Sequence, residues 1–303
     1  MKNLFTSLIV LLTLCFTGSL FAQSMLTAVL SGTDTITYVE SSPGLLTVDN
    51  MANLMDVLQG SATAAGGNVE LFFSSDNSTY DDPNGAFKNV TPTGLTTNFG
   101  ASGDRSIRSL NGNDWFMTSL GAYETTYGSD NFANIWYGDL LNAMDTQSGG
   151  LFSFAQAFAG ITNEDLYNSF LGNGGFPQLS DPNISYVEID GLETVVGLAG
   201  FLNGNGRLAA LTGMSKANID ALFPSGVQFS EVAIVDGTAI YGFSAVPSGV
   251  NLNDQPPAGP DAEDSYTGTY ELRAPAPIPE PTAGILFLTT VLLFSFRRYS
   301  KLA

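Results

Sequence analysis

The stretch VQFSEVAIVDGTAIYGFSAV, residues 227–246, is the clearest hairpin signal in the chain. Two runs rich in β-branched residues flank Asp236-Gly237. That pair suits a type I′ turn, because both central residues of such a turn need positive φ. The segments around it repeat the pattern. Upstream, ISYVEI (184–189) alternates, Asp190-Gly191 supplies a turn, and ETVVGLAGFL (193–202) reads as the next strand. Downstream, DSYTGTYELRA (264–274) reads as a last strand, broken off by Pro275, Pro277, Pro279 and Pro281.

Nearer the N-terminus, MLTAVLSGTDTITYVE (25–40) reads as one or two strands, and NVELFFSSDNS (68–78) as a strand running into a turn. VDNMANLMDVLQG (48–60) predicts a short amphipathic helix, with Asp49 or Asn50 as N-cap and Gly60 as its end. The turn-rich segment 79–106 predicts a loop or irregular β region. The most helical part lies between 131 and 175. There Ile135, Trp136, Leu140, Leu141 and Met144 recur at helical spacing, as do Phe152, Ala155, Phe158 and Ala159. Thr162 stands at a cap position and Gly172 at a stop. LNGND (110–114) and LNGNG (202–206) look alike, and both read as turn chemistry. The pattern predicts a mainly β chain with some helices: a β-sandwich-like exported domain with a small helical cluster beside a sheet, plus one C-terminal transmembrane helix.

Composition narrows the function. The chain has 303 residues, 29 acidic and 10 basic, for a net charge of −19. Between residues 23 and 281 the basic residues are only Lys88, Arg105, Arg108, Arg207, Lys216 and Arg273. Such a surface repels phosphate backbones and anionic headgroups, which argues against nucleic-acid binding. Hydrophobic residues are 44% of the chain, too many for a disordered tail. There is no histidine, and the single cysteine is Cys15. Disulfides in the exported part, cysteine nucleophiles, histidine bases and Cys/His zinc sites are thereby excluded. No cofactor and no metal is expected, and the chain does not read as an enzyme.

The two ends set the expected location. Residues 1–22 have the layout of a secretory signal peptide: Lys2, an apolar run from Leu4 to Phe16, then small residues. Cleavage is expected between Ala22 and Gln23, with Ser24 as second choice; signal peptidase and the Sec translocon are the partners this implies. Leu14 is a poor residue before Cys15, which argues against a lipobox. The exported domain spans 23–273. A proline-rich linker, 274–281, follows, then an uncharged run from Thr282 to Phe296 and a basic tail, 297–303. As a helix the run 282–296 spans about 22 Å at ~1.5 Å per residue, against a hydrocarbon core of roughly 30 Å. Arg297 and Arg298 snorkel and stay on the cytoplasmic side.

This order of Pro279-Glu280-Pro281, short apolar helix, Arg297 and Arg298 resembles the PEP-CTERM sorting signal. The resemblance covers some 25 residues. It implies a Gram-negative-type bacterium that makes extracellular polysaccharide, and processing by an exosortase near Pro279-Glu280-Pro281, with Arg297 and Arg298 for retention. The membrane is then a partner through 282–296 before processing, and the exported chain belongs at the cell surface or in a biofilm matrix. The body, in LSDPNISYVEIDG, VGLAGF, SEVAIVDG, YGFSA and DSYTGTYEL, resembles an uncharacterised family of PEP-CTERM proteins. Relatives often carry a histidine where this chain has Phe201, and the family has no activity to carry over.

Three alternative sites can be read in the same sequence. A glycosidase needs paired carboxylates, for which Glu188 with Asp190, or Glu164 with Asp165, are candidates. Calcium needs oxygen-rich loops, for which Asp76, Asp81 and Asp82, or Asn111, Asn113 and Asp114, qualify without matching a known calcium motif. A carbohydrate-binding module of the polysaccharide matrix would use Trp115, Trp136, Tyr123, Tyr127 and Tyr137 for stacking, although such residues are more often core. The triplets at Asn77, Asn89 and Asn183 read as chance. The leading expectation is an exported structural or interaction protein.

Overall fold

The computed structural model describes residues 24–32, 34–42, 45–72, 85–248 and 268–275. They form a mixed sheet-and-helix structure, rich in β-structure. The signal peptide, Pro279-Glu280-Pro281, the apolar run 282–296 and Arg297-Arg298 lie outside these residues. Among the described residues no helix is long and apolar enough to cross a membrane.

Two antiparallel sheets organise the chain. The smaller joins β1 (Thr27–Ser31), β5 (Gly94–Asn98), β6 (Asp104–Arg108), β10 (Ala233–Val235) and β11 (Thr238–Ile240), in that spatial order. The larger contains β2 (Thr35–Ser42), β3 (Leu45–Val48), β4 (Gly67–Leu71), β7 (Asn183–Asp190), β8 (Glu193–Phe201), β9 (Phe229–Ser230), β12 (Val246–Pro247) and β13 (Gly268–Pro275). Its path runs β12-β13-β8-β7-β4-β2-β3, with β9 also on β8. Side chains of both sheets meet in one core, where Leu95, Ile107 and Val235 join Val69, Ile184, Val196, Leu198 and Tyr270. Burial drives this: each methylene removed from water contributes about 0.8 kcal/mol.

The opening hairpin forms as its sequence predicts. Val235 pairs Thr238, and the turn residues take φ 49° at Asp236 and 85° at Gly237. The Asp190-Gly191 turn likewise joins β7 to β8, through Asp190 paired with Glu193. Strand β13 runs on through Ala274 and Pro275, into the proline-rich segment. The segment 79–106 is more regular than expected. It contains a helical turn, Ala86–Asn89, and the β5–β6 hairpin, in which Leu95 pairs Ile107. Glycine at 100 and 103, with φ of 61° and 79°, makes the reversal between them.

The helices form a second core. The predicted helices appear at Phe132–Gln147, Leu151–Ala159 and Asn163–Gly172. Thr162 caps the third by a reciprocal box with Asp165, and Gly174, at φ 71°, follows its end. Two more, Asn205–Thr212 and Lys216–Leu222, were not expected from the sequence. Both LNGN stretches open helices: Asn111 caps Gly112–Phe116, and Asn205 starts its own. The early helix is a single turn, Leu54–Val57, capped by Asn53. Asp49 and Asn50 are engaged elsewhere, accepting from the backbone N–H of Met51 and Thr37. Trp115, Trp136, Phe170 and Phe176 stack at the centre of this core, with ring centroids 5.0–6.1 Å apart in the pairs Trp115–Trp136, Trp115–Phe176, Trp136–Phe170, Trp136–Phe176 and Phe170–Phe176. It extends to Phe201, Phe229 and Ile234 on the strands.

Candidate functional site

The structure places the alternative sites one by one. Glu188 and Asp190 share an exposed face of β7, but Asp190 is ion-paired to Arg273 at 2.7 Å. Asp165 accepts from the Thr162 hydroxyl and backbone, as a helix cap, with Glu164 beside it in the first turn. Glu188 and Asp165 each line a hollow, in both cases without the other member of the pair. Asn111 and Asp114 form a capping box, and Asp114 holds Arg108 through two bonds of 2.7 Å, so their oxygens are already committed. Asp76, Asp81 and Asp82 lie outside the described residues. Among those residues no group of three or more acidic side chains is placed to hold a metal ion. Trp115, Trp136 and Tyr137 are buried, and Tyr123 and Tyr127 are partly buried and packed against the same core. These five aromatics hold the fold together and do not form a sugar-stacking platform.

Two features that sequence reasoning missed stand out. The first is a buried carboxyl network. The β4–β7 register sets Glu70 opposite Asn183. Glu70 accepts from the Tyr38 hydroxyl at 2.9 Å. Glu231 accepts from the Asn183 backbone N–H at 2.9 Å and from its side-chain amide at 3.3 Å. Burial first, then the charge of Asp181, push the Glu70 pKa up to about 8; hydrogen bonds from Tyr38 and Asn183 oppose the shift. Burial thereby favours the neutral acid of Glu70 over its carboxylate. Glu70, Asp181 and Glu231 stand apart from the hollows beside Phe152, Glu188 and Ala210. The visible signal was an acid inside the apolar run NVELFF and two acids bracketing buried strand residues.

The second feature is on the helical side. We label Leu54–Val57 α1, Ala86–Asn89 α2, Gly112–Phe116 α3, Phe132–Gln147 α4, Leu151–Ala159 α5, Asn163–Gly172 α6, Gly175–Gln178 α7, Asn205–Thr212 α8 and Lys216–Leu222 α9. In α5 only Phe152 is buried. Leu151, Phe154 and Phe158 are 54%, 70% and 87% exposed. Of the four residues at helical spacing, Phe152 is buried, Ala155 and Ala159 turn to a neighbouring hollow, and Phe158 faces solvent. That hollow, of about 640 Å³, is lined by Phe152, Ala155 and Ala159 of α5, Leu166 of α6, Met214 before α9 and Leu222 within it, with Gln156, Thr212 and Asn218 as polar members. All nine residues of α5, LFSFAQAFA, are uncharged. Apolar patches of this kind on a soluble surface mark contacts with other molecules.

Compared with protein-family models, with curated proteins and with solved structures, the chain matches none of them. The site therefore has to be read from its own chemistry.

Proposed function

We propose that this chain is an exported cell-surface or extracellular-matrix protein with a structural or interaction role, and that α5 is its contact surface. The observation that carries the role is the uncharged stripe of Leu151, Phe154 and Phe158 beside a mixed, mainly apolar hollow, in a chain of net charge −19. The location rests on the sequence of the two ends. A signal peptide directs export, and the Pro279-Glu280-Pro281 tail directs sorting by an exosortase after membrane insertion through 282–296. Two antiparallel sheets sharing one core support a β-sandwich-like exported domain. Extracellular polysaccharide is a partner only through surfaces other than the five core aromatics.

Two measurements test this reading. The intact mass of the protein recovered from outside its host should lack residues 1–22 and the segment from about Thr282 onward. A mass running through to Ala303 would mean a permanent anchor and would remove the exosortase. A Phe154→Ser, Phe158→Ser variant should be exported normally yet wash out of the matrix. Retention equal to the parent protein would show that α5 is not the contact surface.

A further inference from the structure

Strand β13 leaves the domain beside the β7–β8 turn. Its last residue, Pro275, pairs Glu193, the first residue of β8, and Arg273 holds both Asp190 and Glu193 across that end. Leu192, at the tip of the turn, is 79% exposed. Ser24 lies toward the same end, lining a hollow with Tyr186 and Glu188 of β7. The helical core sits at the other end of β8. Phe201 belongs to it, about 26 Å along the strand from Glu193 at ~3.3 Å per residue. Only six residues, 276–281, separate Pro275 from the uncharged run that begins at Thr282. Fully extended, at ~3.6 Å per residue, they bridge at most about 25 Å. Pro277, Pro279 and Pro281 remove much of their freedom to fold back. A domain of about 250 residues has a radius of gyration near ~18 Å and is roughly 45 Å across. A tether so much shorter than the domain cannot turn it over, so the end to which it is attached stays toward the anchor.

We infer that in the membrane-anchored precursor the β7–β8 end of the domain rests on the outer face of the bilayer, with Leu192 reaching the headgroup layer and the helical core held away from it. This rests on the reading of 282–296 as a membrane anchor. The charges of this end set the lipid it fits. Asp190, Glu193 and Glu271 share one cation, Arg273, so the end carries excess negative charge and suits a zwitterionic headgroup layer better than an anionic one. The tether supplies the proximity, by raising the local concentration of one surface at the other.

Fluorescence quenching by labelled lipid tests the inference on the full chain. The chain is reconstituted in phosphatidylcholine vesicles, with Cys15 replaced by serine and one environment-sensitive fluorophore on Leu192→Cys. Leu120→Cys, between α3 and α4, and Phe158→Cys, on α5, at positions 95% and 87% exposed, are the comparison sites. Lipid carrying a nitroxide on its headgroup should quench the Leu192 probe at least threefold more than either. An insert of about 15 Gly/Ser residues after Pro275, adding roughly 20 Å of reach, should bring it down to their level. Exchanging phosphatidylcholine for phosphatidylglycerol should lower the Leu192 signal; a rise would overturn the zwitterionic assignment. Equal quenching at all three sites, in protein that stays in the vesicles through an alkaline wash, would overturn the inference and leave the anchor standing. Quenching at Leu192 that the insert does not lower would overturn it too, since the tether would not be what holds the domain down. A chain that washes off the vesicles would remove the anchor reading and the inference with it.

Discussion

Replacing Glu70 with glutamine probes the buried carboxyl network most directly. Glu70 is 7% exposed, and its pKa is pushed from 4.5 to about 8 by burial and then by Asp181. The groups that face it are Tyr38 from β2, Asn183 from β7 and Asp181 just before it, with Glu231 on the far side of Asn183. In the unfolded chain the carboxyl titrates near 4.5. Below that pH both states hold the proton, and Glu70 adds no pH dependence. Between about 4.5 and 8 the folded state binds a proton that the unfolded state has released, so stability falls as pH rises. Above 8 the loss levels off. Moving a pKa from 4.5 to about 8 corresponds to roughly 5 kcal/mol, at about 1.36 kcal/mol per pH unit. Relaxation and water entry lower that ceiling, so about 2–5 kcal/mol is expected. Glutamine is neutral at every pH, keeps an acceptor for Tyr38 and offers an amide donor to Asp181. The assay is urea unfolding followed by the fluorescence of the buried Trp115 and Trp136. The gain of Glu70→Gln over the parent should grow from under about 1 kcal/mol at pH 5 to about 2–5 kcal/mol at pH 9. Taking the difference cancels the titration of the acids common to both proteins. A gain that stays flat from pH 5 to 9, or a variant less stable than the parent at pH 9, would refute the reasoning.

Other substitutions separate the remaining forces. Arg105 is 3% exposed with Asp236 at 3.8 Å, so Asp236→Asn should cost about 3 kcal/mol by leaving a buried cation unpaired. Lys216→Ala breaks an exposed pair with Asp220 and should change the unfolding free energy in urea by less than about 0.5 kcal/mol. Gly197→Ala would set a Cβ 2.1 Å from the buried Tyr186 ring, and a loss of about 2 kcal/mol or more is expected; a neutral result would show that the ring can move aside. The Phe154→Ser, Phe158→Ser variant should keep the parent's unfolding free energy in urea within about 0.5 kcal/mol, because both rings are largely exposed.

Legibility in the sequence followed the range of the forces involved. Asp236-Gly237 was readable because a type I′ turn is decided by two adjacent residues, and both take positive φ in the structure. Thr162 was readable because a cap acts over three residues. The β5–β6 hairpin was hidden, since GLTTN and DRSIR show little alternation and their burial depends on the distant Ala233–Val235 strand. Glu70 was hidden for a similar reason: its proton is set by Tyr38, Asp181 and Asn183, up to 113 positions away in the chain. Phe158 shows the opposite failure. Helical spacing reveals that a stripe exists, but a helix cannot announce which of its faces finds a partner within its own chain. The sorting residues Pro279, Glu280, Pro281, Arg297 and Arg298, and the cleavage pair Ala22 and Gln23, lie outside the described residues and rest on sequence alone.

Strand β13 ends at Pro275, opposite Glu193. A tether attached beyond that residue delivers its pull to the domain there, so the strand also has a mechanical character. Tension along the strand is shared by eight register pairs, from Gly268–Gly200 to Pro275–Glu193. Tension across it meets one pair at a time, beginning at a proline that has no N–H to donate. Just inside that weak end Arg273 grips Asp190 and Glu193 at 2.7 and 3.0 Å, like a rivet set behind a seam. Dragged along the sheet, the domain resists as a unit; lifted away from it, the strand yields pair by pair as soon as the rivet lets go.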